Sequence, residues 1–195
     1  MRGLEGRVAV VTGASRGMAA GGAQRLNGDN VSVAVANVDA DRAEEVAPMP
    51  PDPAIEGERR VRLADTPGQN FERIAAVNQR HVFLDLREAL PTLSSQSTPS
   101  TIVTTSSYGG IVGRQIVGLN VSAAINGGSL GIHVSCIAPG LGVTRLTEAR
   151  AAQLASVPPG RSGTPEDAAS VIAIFPSDEP RTCRCNHTRG RLQTT

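Results

Sequence analysis

The sequence predicts an α/β fold in which a parallel sheet is flanked by helices. Three observations predict it. A short apolar run, Val8 to Val11, leads directly into a glycine-bearing turn. Strand-like and helix-like stretches then alternate through the first 46 residues. Further β-branched runs, from Ile102 to Thr105 and from Ile132 to Ala138, continue the pattern after a long amphipathic helix. Such alternation builds parallel strands joined by right-handed crossovers. A chain of 195 residues is long enough for one domain with a buried core.

The elements follow in order. Val8 to Val11 is continuous and β-branched, which predicts a strand buried on both faces. A helix follows from Gly17 to Leu26, weakened at Gly21 and Gly22 by about 1 kcal/mol each relative to Ala. Asn27-Gly28-Asp29-Asn30 reads as a turn, Val31 to Ala36 as the second strand, and Asp39 to Val46 as the start of a second helix. Four prolines between Pro48 and Pro53 make a loop. Arg60 to Ala64 is a short third strand. Phe71 to Leu90 is the strongest helix, with Phe71, Ile74, Asn78, Val82, Leu86 and Ala89 at three- and four-residue steps. Pro91 and the Ser/Thr-rich stretch up to Thr101 end it. Ile102 to Thr105 and Ile132 to Ala138 are the fourth and fifth strands, the latter closed by Pro139-Gly140. Thr164-Pro165 opens a last helix through Ile174, and Pro176 stops it. Residues 1–179 read as a single domain and 180–195 as an irregular, Arg-rich tail.

Composition excludes several function classes. A formal net charge of +1 offers no strong pull toward nucleic acid or membrane. No apolar run approaches the roughly 18 residues that span a bilayer, and the N-terminal stretch lacks the form of a signal peptide, so a cytoplasmic location is expected. All 19 basic residues are arginine, so no step can use a lysine ammonium. Cys136, Cys183 and Cys185 are too few and too oddly spaced for a disulfide framework. Cys183, Cys185 and His187 form a C-x-C-x-H cluster without a fourth ligand, which reads as an incidental tail, and no metal site is expected.

The chemistry-bearing motif is TGASRGMA, Thr12 to Ala19, between the first strand and the first helix. Glycines at such a turn let the backbone approach a pyrophosphate, and the helix N-terminus favours its charge. This turn resembles the TGxxxGxG motif of the short-chain dehydrogenase/reductase family, with Gly13 and Gly17 kept and Ala19 in place of the third glycine. The resemblance continues in pieces to about residue 179 and implies a Rossmann-like NAD(P)-binding domain acting on a carbonyl or alcohol. It assigns Gly13, Ser15, Arg16, Gly17 and Met18 to the cofactor turn, and Asn37 to the ribose position at the end of the second strand, with Asp39 two residues later. Asp65 falls near the adenine, Pro139 and Gly140 in the P-G signature, and Thr144 beside the nicotinamide. Arg16 is similar to NADP-preferring members, whereas the second-strand position points to NAD, so either cofactor stands. The same resemblance assigns catalytic roles to Ser107, on the fourth strand's end, and to Asn78, in the long helix. A small-molecule substrate and a homo-oligomer are implied as well, the latter weakened by shortening of the helix near residues 120–126.

The sequence also departs from the pattern. A helix–strand unit with its N-N-A-G motif, which in the family lies beside the first strand, is missing, and so is the closing strand. The family's acid/base tyrosine stands thirteen residues after the serine, with a lysine four further on. That spacing puts both on one helix face, where the lysine lowers the tyrosine pKa. Counting from Ser107 gives Asn120 and Ala124. The sole tyrosine, Tyr108, adjoins Ser107. Three readings therefore stand side by side: an NAD(P)-dependent oxidoreductase with impaired or no catalysis, a non-catalytic nucleotide-binding remnant, and a degenerate product without function.

Overall fold

Two parallel ladders carry the architecture. The structure, a computed structural model, describes residues 3–14, 17–36, 67–96, 98–106, 111–140, 142 and 162–178. Strand β1 (Val8–Thr12) pairs in parallel with β2 (Ser32–Ala36), Val8 opposite Ser32 and Thr12 opposite Ala36. Strand β3 (Ser100–Thr105) pairs in parallel with β4 (Ile132–Ile137). Each ladder is closed by the crossover helix between its own strands: α1 (Gly17–Gly28) in the first and α4 (Ile111–Gly128) in the second. The parallel pairing of the first two strands agrees with the sequence reading. The expected neighbouring of β1 and β3 does not: among the described residues the two ladders are separate. The strand that the family resemblance places beside the first is the one read as missing from this sequence, and no described strand pairs with both ladders.

The first ladder packs on α1, and α5 (Pro165–Ile174) packs in turn on α1. Leu4, Leu26, Val31 and Ala173 are buried together, with Ala9, Val11 and Val33 against them. Gly21 and Gly22, read as weak points of α1, are where α5 comes close. A Cβ on Gly21 would lie 2.9 Å from Pro165 Cβ, and one on Gly22 3.2 Å from Ile172 Cδ1. Alternation along a strand sends successive side chains to opposite faces, and only one face of β1 is covered: Val8 is 77% and Val10 68% exposed. The expectation of a strand buried on both faces fails there. The strand that is buried on both faces is β4, with Ile132 and Val134 on one face and Ser135 and Ile137 on the other.

The second ladder packs on α4 and on a long helical segment: α2 (Gly68–Ala75), a π turn over Ala76–Arg80, and α3 (His81–Ser94). Leu86, Ala123, Ala124, Ile132 and Val134 form its core, flanked by Val82, Leu90, Leu93, Ile102 and Leu119. The π turn adds one residue to the helical count, so the face read from Phe71 to Ala89 does not stay in register. Phe71 is exposed while Leu86 is buried. Pro91 does not end α3 but lies inside its last turn. The Thr92 hydroxyl donates to the Glu88 carbonyl at 2.8 Å, and the Ser95 N–H to Pro91 O at 3.2 Å, so hydroxyls and the final N–H groups satisfy carbonyls near the break. Helix α4 is not shortened: it has 18 residues and begins at Ile111. Gly127-Gly128 forms its end. There a Cβ on Gly127 would sit 3.3 Å from Ile132 and Leu90, and Gly131 takes a left-handed φ of 72° before β4. Thr164 caps α5 through a reciprocal capping box with Asp167, as the Thr-Pro signal predicts. The second helix, the third strand from Arg60 to Ala64, the proline loop and the tail lie outside the described residues.

Candidate functional site

The carboxyl end of β1 and the amino end of α1 form the turn. Gly13 has φ +66° and Gly17 φ +63°, a region where a side chain is strained and glycine is not. A Cβ on Gly13 would meet nothing within 4 Å, so the space above this exposed residue is open. Helix α1 has no acidic residue in its first turn. Its free N–H groups and positive dipole end therefore face that space without a competing carboxylate on the helix. These features fit the pyrophosphate of a dinucleotide.

The segment after β4 returns to the same place. Pro139 and Gly140 follow β4 directly, and Gly142 bridges in parallel to Gly163. A Cβ on Gly142 would lie 2.8 Å from Met18 Cε. Met18, assigned to the cofactor turn, thus covers the post-β4 segment, and the structure brings Gly17 and Met18 together with the chain that leaves Pro139-Gly140. Composition gave no sign of the Gly142–Gly163 bridge; the glycine pair that permits it is its only sequence signal.

Ser106 N–H donates to Ile137 O at 2.7 Å and prolongs the second ladder. Ser106 is buried, so the chain is anchored one residue before Ser107. Ser107 itself, Tyr108, Ser15, Arg16, Asn37, Asp65 and Thr144 lie outside the described residues. Asn78 is exposed within the π turn, and its Nδ2 donates to the Ile74 carbonyl at 3.0 Å, a local bond of the kind helix asparagines make.

Asn120 and Ala124 are 1% and 5% exposed. The Thr104 hydroxyl donates to Asn120 Oδ1 at 2.9 Å and lies 3.4 Å from the Ser135 carbonyl, while Asn120 Nδ2 has no partner. An acid/base must reach the proton it moves, and both positions are buried in the core. Counting thirteen residues from Ser107 lands in the core because α4 starts at Ile111, so its middle, not its first turn, falls at residue 120. The structure also shows a contact that sequence reading missed. Thr12 Oγ1, at the head of the turn, donates to Asp85 Oδ2 of α3 at 3.2 Å. Among the described residues no group of three or more His, Cys, Asp or Glu side chains could hold a metal, and no helix is long and apolar enough to cross a membrane.

The parallel strands, their crossover helices and the glycine turn at the strand ends define a dinucleotide-binding type of α/β protein. Residues 52–186, well over half of the chain, match the family model described as enoyl-(acyl carrier protein) reductase, and the chain belongs to the short-chain dehydrogenase/reductase family. It is similar to levodione reductase of Leifsonia aquatica, 30% identical over 149 residues, 64% of this chain and 55% of the relative. It is 29% identical over 127 residues to rat (3R)-3-hydroxyacyl-CoA dehydrogenase, covering 57% of this chain and 49% of the relative. The chain thus spans about half the length of the curated relatives it matches. The 3-ketoacyl-(acyl-carrier-protein) reductase of Brucella melitensis, solved with NADH, has the same fold at TM-score 0.74 and 23% identity, over 90% of this chain and 93% of that one.

Proposed function

We propose that this protein binds NAD or NADP at the turn between β1 and α1 and transfers hydride poorly or not at all. The observation that carries the reading is the pair of left-handed glycines, Gly13 and Gly17, with open space above Gly13, at the N-terminus of a helix whose own first turn holds no acidic side chain. The backbone of Gly13, Ser15, Arg16, Gly17 and Met18 would hold the pyrophosphate, and Arg16 would favour a 2′-phosphate. When bound, the nicotinamide ring supplies the hydride or accepts it. The chain's part in turnover would be to orient a small carbonyl or alcohol and to move a proton. Ser107 and Asn78 are the family's candidates for that, in a cytoplasmic setting. Burial of residues 120 and 124 and the absence of any lysine argue against family-level proton transfer, which typically contributes about 10²–10⁴-fold.

The test is titration of the purified protein with NADH and NADPH, with circular dichroism to establish the folded state, followed by nicotinamide absorbance with a panel of ketones and alcohols. Binding without turnover is the expected result. A working reductase is the second reading, favoured by the start of α4 at Ile111, three residues after the sole tyrosine. Turnover that is lost in Tyr108→Phe would establish it.

The family's oligomers suggest a partner as well. A groove of about 440 Å³ is lined by Phe71, Glu72, Ala75, Gln79, Arg80, Phe83 and Leu119, among others. Glu72 and Arg80 would meet each other's counterparts if two copies packed antiparallel across it, and sedimentation of wild type against Arg80→Glu tests that pairing.

A further inference from the structure

We infer that Asp85 weakens the hold of the glycine turn on the pyrophosphate of a dinucleotide, in either redox form alike. The inference rests on the cofactor reading above and adds to it a residue that sets affinity. Asp85 lies on α3, in the half of the chain built around β3 and β4, and reaches the other half. Its Oδ2 accepts the hydroxyl of Thr12 at 3.2 Å, and Thr12 is the residue before Gly13. Covalent geometry then bounds the separation. The Thr12 hydroxyl oxygen is two bonds from its own Cα, and the next Cα is one trans peptide step of about 3.8 Å away. The carboxylate oxygen is therefore within about 10 Å of the Gly13 Cα. Asp85 is exposed, and among the described residues no ion pair neutralises it.

Two effects follow. The Thr12 hydroxyl, a donor at the head of the turn, is committed to a protein carboxylate instead of a ligand oxygen. The carboxylate also opposes the anion that the turn favours. At about 8–12 Å in exposed, water-like surroundings, one negative charge weakens binding of a doubly charged pyrophosphate by roughly two- to fourfold at low salt. That is the same order as the gain an anion draws from an exposed helix N-terminus. Helix α1 places no acidic group in its own first turn, and Asp85 offsets from outside much of what that helix end offers. The pyrophosphate and its two charges are common to NAD+, NADH and ADP-ribose, so the penalty falls on all three.

The experiment measures Kd for NAD+, NADH and ADP-ribose on the folded full chain, in wild type, Asp85→Asn, Asp85→Glu and Asp85→Arg, at low and high salt. Asparagine keeps an acceptor for the Thr12 hydroxyl, so Asp85→Asn removes the charge alone. At low salt its Kd should be about two- to fourfold lower than that of wild type for all three ligands, and that of Asp85→Arg about four- to tenfold lower. Asp85→Glu keeps the charge and should stay at the wild-type value. The gains should shrink at high salt, because the screening length falls from about 10 Å at 0.1 M to about 3 Å at 1 M. Affinities unchanged or weaker in both Asp85→Asn and Asp85→Arg, or gains that high salt leaves intact, would overturn the role of Asp85 and leave the cofactor reading standing. Failure of all four folded proteins to bind any of the three ligands would overturn that reading and this inference with it.

Discussion

The two halves of the molecule bury their strands to different depths. In the β3–β4 half, β4 is covered on both faces, with α3 and α4 closing over Ile132 and Val134. In the β1–β2 half, α1, backed by α5, covers one face, and Val8 and Val10 on the other remain exposed. Both strands are short and rich in β-branched residues, and it is the more polar of the two, β4 with His133 and Ser135, that is the more deeply buried. Burial of a run depends on what the rest of the chain brings to it, and the half that carries the glycine turn lacks a second cover among the described residues. The glycine turn therefore sits on the less protected half, while Asn120 and Ala124, which the family resemblance aligns with its acid/base pair, are buried in the half with the firmer core.

The sharpest test of that contrast loads the well-packed half. Ala124→Lys places an ammonium among Leu86, Ala123, Ile132 and Val134. A buried charge without a partner costs about 3–5 kcal/mol, and Asn120→Tyr adds overpacking of typically 1–3 kcal/mol. Denaturant unfolding should show a loss of at least that order, and the double substitution should restore no turnover. A stable, active double variant would mean that α4 sits in another register and that this core is drawn wrongly.

Gly13→Val probes the other half. The left-handed φ of +66° strains a β-branched residue by on the order of 1–3 kcal/mol, and its side chain fills the space above the turn. Affinity for NAD(P)H should fall at least about tenfold, by analogy with the close approach such turns require, while circular dichroism stays native. Unchanged affinity would move the site away from this turn.

What the sequence shows differs between the halves for physical reasons. The four described strands were legible to within two residues at either end because β-branched runs bounded by turn residues have few other uses. Gly13 and Gly17 were legible because a positive φ selects glycine. The full extent of α4 was not, since the helix read as shortened near residues 120–126, whereas it runs from Ile111 to Gly128 and packs on β3 and β4. Pro91 read as a stop because its missing N–H leaves the Arg87 carbonyl without its helical donor, yet the helix carries on through Ser94. Asp85 was invisible as well: an acidic residue on a helix reads as a solvated face, and Thr12 is 73 residues away.

A smaller effect separates cap from charge in α5. Thr164→Ala removes the side-chain acceptor for Asp167 N–H and should cost about 1 kcal/mol at neutral pH. The hydrogen bond from Thr164 also holds the Glu166 carboxyl below its ordinary value of 4.5. A carboxyl whose folded value is depressed adds stability above its unfolded value and loses it as pH falls through the folded one. The difference between wild type and Thr164→Ala should therefore be fully present above about pH 5 and narrow below about pH 4. A difference that widened in acid would reverse the assigned sign.

The smallest expected effect is the most discriminating for the comparison. Val8 and Val10 keep 77% and 68% of their surface open to solvent, so Val8→Thr and Val10→Thr remove little buried area and should each change stability by less than about 0.5 kcal/mol. Threonine keeps the β-branch and thus the strand preference, which isolates the burial term. Val134→Thr in β4 is the matched control. Val134 is fully buried, and the same exchange brings a hydroxyl into a core that offers no assured partner, at about 1–3 kcal/mol. Urea unfolding of the three variants side by side therefore reads the asymmetry directly. If Val10→Thr costs as much as Val134→Thr, then in solution something covers the open face of β1, and the two halves are equally closed. If it costs nothing, and the variant is also less prone to aggregate, the bare apolar face of an uncharged strand is a real surface of the folded protein, of the kind that invites association.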